Sequence, residues 1–303
     1  MSPHVLPRCV CGPGGGISSR ISPTFVAMPL VLEPLPAVST TLSVDLDGIV
    51  PDRVCSLTAA AILRLRILAD AHPCELGELF AISGSAADGR LSCRGDFSRI
   101  HRVAAGMRWG SVDVTGDVGR HAAAGMSGGT LTVSGDAGDW LAAEMTAGDV
   151  HVRGCAGDNA AAALPGSDLG VRGGLIIVHG DVGALAGARM RRGILAVGRH
   201  AGEAAAFEMR AGTVIVAGAV GRHAGTGMRR GSLVALDAAA PVPPTFLRGS
   251  LWQPPFLPLL LRRLTRAGYA PAATVRGPWR QWHGDTLAGG RGEMLLPEPA
   301  PGS

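Results

Sequence analysis

The feature that most constrains this chain is a spacing. The pattern Met-x-x-Gly occurs at Met107/Gly110, Met126/Gly129, Met145/Gly148, Met190/Gly193, Met209/Gly212 and Met228/Gly231, in steps of 19, 19, 45, 19 and 19 residues. The 45-residue step divides into 26 and 19 when "VRGG" at 171–174 is read as a copy with Val171 in the methionine slot. The longer step then holds a seven-residue insertion, 165–171, after Leu164. A strict period over seven copies marks a stacked repeat, in which each unit buries its apolar face against its neighbours.

Other columns keep the same register. Five residues after the slot stand Val112, Leu131, Val150, Ile176, Leu195, Val214 and Leu233, and seven after it Val114, Val133, Val152, Val178, Val197, Val216 and Ala235. Apolar residues two positions apart, with one residue between, are what a strand with one buried face requires. Twelve after the slot come Gly119, Gly138, Gly157, Gly183, Gly202 and Gly221, each preceded by Val or Ala, at a tight corner needing positive φ or no side chain. Nineteen residues are too few for a helical hairpin, and glycine opposes helix. The period therefore predicts an all-β chain: a parallel β-helix, a single-stranded solenoid of about seven 19-residue coils over 101–237, each coil pairing with the next at about 4.8 Å. The methionines become a core ladder. The 45 glycines in 303 residues, roughly twice the usual share, follow from the repeat.

The flanks read as caps, which a solenoid needs to cover its open ends. Residues 1–41, rich in Pro, Gly and Ser, read as a disordered or mistranslated leader, with Met28 as an alternative start. Residues 42–100 form a small α/β cap, with a helix expected over 56–68 and a strand over 77–84. Residues 238–303 hold a "PVPP" linker, a helix over 256–268 ending at Gly268, a closing loop at 279–285 and a strand at 292–296. The formal charge of +4 is too small to argue for nucleic acid. No apolar run reaches the ~20 residues of a membrane span. The six cysteines follow no disulfide or metal framework, and "CVC" at 9–11 is a poor ligand spacing, so a reduced cytoplasmic compartment is expected.

Catalytic, cofactor and metal sites are not expected in this chain. "GRHA" recurs at 119–122, 198–201 and 221–224, but the middle copy is four residues out of phase, and His121 and His223 lie five coils apart, roughly 24 Å. They read as turn residues. Asp117, Asp136 and Asp181 share a turn column suited to local backbone bonding, and Glu144 and Glu208 lie too many coils apart for paired-carboxylate work. Trp279, Trp282 and His283 read as cap packing. Two features point outward. The residue after the slot is Arg108, Arg172, Arg191, Arg210 and Arg229, with Ser127 and Thr146 between and Arg192 and Arg230 added, so stacking should build a positive ladder able to dock an acidic partner or an anionic carrier. The later strands "LIIV", "ILAV" and "TVIV" are apolar on both faces, so Ile177, Ile215 and Val234 must be covered by the C-terminal helix or by another protein; together with the insertion they form the expected assembly face.

The seven Met-x-x-Gly-x-Val-x-Val-x-Gly-Asp-x-Gly coils, the inserted "PGSDLGV", the "LGELF" cap and the terminal "RQWHGD" and "GRGEMLL" over 42–298 resemble the C-type subunit of formylmethanofuran dehydrogenase. They are closer to its bacterial version, the C-type subunit of the formyltransferase/hydrolase complex of tetrahydromethanopterin-linked C1 oxidation. The resemblance implies a non-catalytic member of a complex, beside amidohydrolase-like, formyltransferase and B-type partner subunits, with a methanofuran-type carrier. Metals are implied only in those partners: zinc, or in the archaeal complex a molybdenum or tungsten pterin with Fe–S clusters. The bare repeat also resembles the C-terminal domain of the glutamate synthase large subunit, which would make the chain a brace for an amidotransferase. A stand-alone enzyme with a site at the inserted loop is the third reading.

Overall fold

Each repeat contributes one strand, and the strands lie side by side in sequence order. The computed structural model describes residues 28–36, 38, 42–273 and 277–298; Cys9, Cys11 and most of the expected leader lie outside them. The N-terminal part runs β1 (Leu30–Pro34), β2 (Val44–Asp45), α1 (Pro51–Val54), α2 (Ala59–Leu63), β3 (Arg66–Ala69), β4 (His72–Glu75), α3 (Leu76–Leu79), β5 (Phe80–Ser83), β6 (Arg90–Arg94) and β7 (Ile100–His101). The repeats supply β8 (Ser111–Thr115), β9 (Thr130–Val133), β10 (Asp149–Val152), β11 (Arg172–Val178), β12 (Arg192–Val197), β13 (Thr213–Val216) and β14 (Ser232–Ala235). The C-terminal part adds β15 (Leu247–Trp252), α4 (Phe256–Arg266), β16 (Trp279–Gly284) and β17 (Gly292–Pro297).

Strands dominate and helices are few. Thirteen strands form one sheet in the order β15-β16-β17-β14-β13-β12-β11-β10-β9-β8-β6-β1-β5, while β4-β3-β2-β7 make a small second sheet. From β6 to β14 and on to β17 every neighbouring pair is parallel. The sequence columns are paired columns: Val112, Leu131, Val150, Ile176, Leu195, Val214 and Leu233 stand in line across the sheet. A second parallel ladder of single bridges runs through Phe97, Val118, Ala137, Ala156, Val182, Ala201 and Val220. Between the two ladders the slot residues Met107, Met126, Met145, Val171, Met190, Met209 and Met228 are fully buried.

The two glycine columns serve different needs. Gly148, three after its slot, has φ near +102°. Gly138, in the corner column, does not have a left-handed φ; a Cβ there would stand 2.9 Å from the Gly119 carbonyl carbon of the preceding unit. The corner glycines allow units to stack closely, and turn geometry alone does not require them.

Several expected boundaries move. Leu30–Pro34, placed in the leader by composition, is β1, and Leu30, Val31 and Leu32 are buried between β5 and β6. The helix expected over 56–68 is only α2, capped by Thr58 Oγ1, which accepts from the Ala61 N–H at 3.3 Å. Beyond it, exposed Arg66 and Leu68 flank buried Ile67, a two-residue alternation that pairs as β3 with β4. The expected strand over 77–84 begins as the turn of α3 and extends only from Phe80. Residues 279–284 are a strand instead of a closing loop, bridging β15 and β17 in antiparallel register.

The largest correction concerns the assembly face. Ile177, Ile215 and Val234 are fully buried within this chain. Leu257, Leu260 and Leu264 of α4 pack on them with Ala196, Leu295, Tyr269 and Trp279 as a second core on the outer side of the sheet. The Tyr269 hydroxyl donates to the Val197 carbonyl at 2.6 Å, tying the end of the helix to β12. Of the two covers the apolar strands demanded, the chain supplies its own. Among the described residues no helix is long and apolar enough to cross a membrane.

Candidate functional site

The backbone spaces the arginines. The N–H groups of Ser127, Thr146, Arg172, Arg191, Arg210 and Arg229 donate to the carbonyls of the preceding slot residues at 2.7–2.8 Å. Successive side chains therefore start about 4.8 Å apart. The five predicted arginines do not all meet. Arg108 lies toward the N-terminal cap, where its N–H donates to Asp52 Oδ1 at 3.2 Å, and Ser127 and Thr146 separate it from the rest. Arg172, Arg191, Arg210 and Arg229 occupy consecutive units, with an irregularity in β11 that sets Arg172 opposite Arg192.

Arg191, Arg192, Arg210, Ala211, Arg229 and Arg230 line a depression of about 380 Å³. A neighbouring one of about 410 Å³ shares Arg210 and Arg229 and adds Glu208, Gly227, Leu287 and Ala288. Two acidic side chains partly balance this ledge. Asp168, from the inserted loop, stands 3.8 Å from Arg210 and 3.9 Å from Arg189. Arg189 donates through Nε to Glu208 at 2.8 Å and through Nη1 to the Ser167 carbonyl at 3.0 Å, which clamps the insertion against the repeats. Among the described residues, Arg191, Arg192, Arg229 and Arg230 have no carboxylate within 4.0 Å. Four unpaired guanidinium groups this close repel one another over less than a Debye length of ~8 Å. A ligand carrying several carboxylates relieves that repulsion and matches the planar arginine forks.

The other titratable columns are structural acceptors. Asp117 Oδ1 accepts the Asp136 N–H at 2.8 Å, Asp136 Oδ1 the Cys155 N–H at 2.7 Å and Asp181 Oδ1 the His200 N–H at 2.8 Å. The bonds run to the next unit and not locally, as their sequence position suggests; each carboxylate holds one corner on another. Cys155 and His200 fill the same role, accepting from Asp181 N and Ala219 N. Glu144 accepts from Leu164 N at 3.1 Å, at the base of the insertion. His121 stacks on Trp140 and has a left-handed φ near 60°, as does His223 at 63°. His101 accepts the Arg120 N–H through Nδ1 at 3.0 Å and bonds Ser43 Oγ through Nε2 at 2.9 Å, and burial followed by the Arg120 charge holds its pKa below the usual imidazole range. Among the described residues no cluster of His, Cys, Asp and Glu has metal-site geometry. Trp279 is buried in the second core, Trp282 packs on the first, and His283 is exposed.

Asp168 and Leu287 were not among the predicted site residues. Asp168 lies within the insertion singled out by the repeat, so only its direction was missing. Leu287, 85% exposed, follows Asp285, whose carboxylate accepts from Gly227 N and Leu287 N; nothing in the repeat register flags it.

Fold and ledge together define a stacked-strand chain with a cationic groove along its turns. No family model matches the chain, and no curated protein matches it. Among solved structures it is similar to a chain of the formyltransferase/hydrolase complex (FhcABCD) from Methylorubrum extorquens, determined in complex with methylofuran. The two share 35% identity at a TM-score of 0.81, over 89% of this chain and 100% of the other. The chain belongs to the family of formyltransferase/hydrolase complex subunits.

Proposed function

We propose that this chain is the C-type member of a formyltransferase/hydrolase complex, a non-catalytic parallel β-helix that organises its partner subunits in the cytoplasm during one-carbon oxidation to formate. The observation that carries the reading is the likeness to a chain of that complex over nearly its whole length. The β-helical description is supported by the two parallel ladders, β8 to β14 and Val118 to Val220, which keep the same residue column from one unit to the next. The absence of chemistry of its own is supported by the use of each column carboxylate as an inter-unit acceptor. Zinc or other catalytic metals and the formyl-transfer and amidohydrolase residues then belong to the partners.

Within that role the Arg172–Arg229 run is the contact for an acidic partner surface or for the carboxylate-bearing tail of a methanofuran-type carrier. Its support is the cluster of four guanidinium groups without a carboxylate in reach. The test is the triple variant Arg191→Gln, Arg210→Gln, Arg229→Gln, assembled into the complex. We expect carrier affinity or retention of the partner subunits to fall at least tenfold, with a weaker salt dependence than the parent. Unchanged values for both would sink the assignment.

A further inference from the structure

Helix α4 uses more than the face that covers the sheet. Leu257, Leu260 and Leu264 point into the second core. On the adjoining flank, Pro258, Leu261 and Thr265 form a wall of a groove of about 720 Å³, with Pro254, Ala272 and Trp279 among its other lining residues. The volume lies in the range of specific binding sites, and the lining is mainly apolar. Arg262 and Arg266 also line this groove. They are exposed, neither has a carboxylate within 4.0 Å among the described residues, and "FLPLLLRRLTR" contains no acid. The positive charge at the groove is thus unbalanced from within its own element.

Four residues along a helix advance about 6 Å. That separation fits carboxylates one turn apart on a facing helix, or two residues apart on an extended strand, at about 6.8 Å. An apolar groove beside two such arginines suits an amphipathic segment with an apolar side and acidic neighbours. We propose that the α4 groove seats an acidic amphipathic segment of another protein of the complex, its apolar side chains against Leu261 and Trp279 and its Asp or Glu side chains on Arg262 and Arg266. The inference rests on the reading of the chain as a member of that complex but uses residues separate from the arginine ledge.

The experiment places a photo-cross-linking amino acid at Leu261 in the intact complex, isolated through a tag on this chain, and maps the cross-linked peptides by mass spectrometry. We expect a single peptide of a partner protein, bearing at least two acidic residues beside apolar ones. In the paired Arg262→Glu, Arg266→Glu variant its yield should fall at least tenfold while this chain's melting temperature stays unchanged. Cross-links confined to this chain, or to a lipid or small metabolite, overturn the groove proposal while leaving the complex standing. So does a full yield in the double variant. If the tag brings down this chain alone, both the groove proposal and the assignment to the complex fail.

Discussion

The inner and outer faces of the large sheet obey different rules along its length. The inner face is uniform: Val112, Leu131, Val150, Leu195, Val214 and Leu233 are all fully buried. The outer face changes halfway. In β8, β9 and β10 it carries Asp113, Thr132 and His151, while in β11 to β14 it carries Ile177, Ala196, Ile215 and Val234, all four fully buried under α4 and its neighbours. The repeat itself requires only the inner pattern. The outer pattern records what lies on top, solvent over the early units and the chain's own C-terminal helix over the late ones.

The sharpest way to break this contrast is a charge under the helix. Ile215→Asp should cost about 4 kcal/mol or more, because an unpaired carboxylate would sit in the second core; chemical denaturation would read it, and a loss under 1 kcal/mol would mean that α4 does not stay docked. Leu264→Ala, on the helix side of the same contact, should cost about 2–5 kcal/mol. Hydrogen exchange should then rise on β11 to β14 and stay unchanged on β8 and β9.

Acid should act on the other half. His101, His121 and His151, in the first units, and His179, directly after β11, all have pKa values held below the usual imidazole range, burial being the largest cause for each. As pH falls through about 6.5 the unfolded chain takes up protons that the fold resists, so stability is lost toward acid and is complete above that pH. Exchange measured at pH 7.5 and pH 5.5 should therefore increase first from β7 to the end of β11, ahead of β12 to β14. Equal changes in the late units would contradict the assignment. The smallest effect is expected at Thr132→Val, within about 0.5 kcal/mol, because its outer face meets no packed layer. A gain comparable to the Leu264→Ala loss would imply a cover over the early units as well.

The repeat made much of the fold legible before any coordinates, for reasons specific to it. A single misplaced residue in a column such as Val112 to Leu233 would turn the strand's apolar side outward, so the register is overdetermined seven times. The caps lack that redundancy. Arg66–Ala69 follows directly on good helix formers, and only its pairing with β4 on one side and β2 on the other makes it a strand. Trp279–Gly284 is a strand because β15 and β17 lie on either side of it, a fact of tertiary pairing. The same division holds at the site. The arginine column, and its separation from Arg108 by Ser127 and Thr146, could be counted from the period, but the approach of Asp168 depends on how the insertion folds back onto Arg189. The apolar outer strands announced that a cover was required; whether helix or partner supplied it depended on the chain's path after Leu236.

The most direct measurement is purification of this chain, tagged at its chromosomal locus, from its native cell extract, followed by intact-mass analysis of whatever accompanies it. Stoichiometric recovery with a formyltransferase and an amidohydrolase-like protein is the expected result. A folded chain recovered alone and active on a substrate of its own would contradict the scaffold role and return attention to the inserted loop at 165–171.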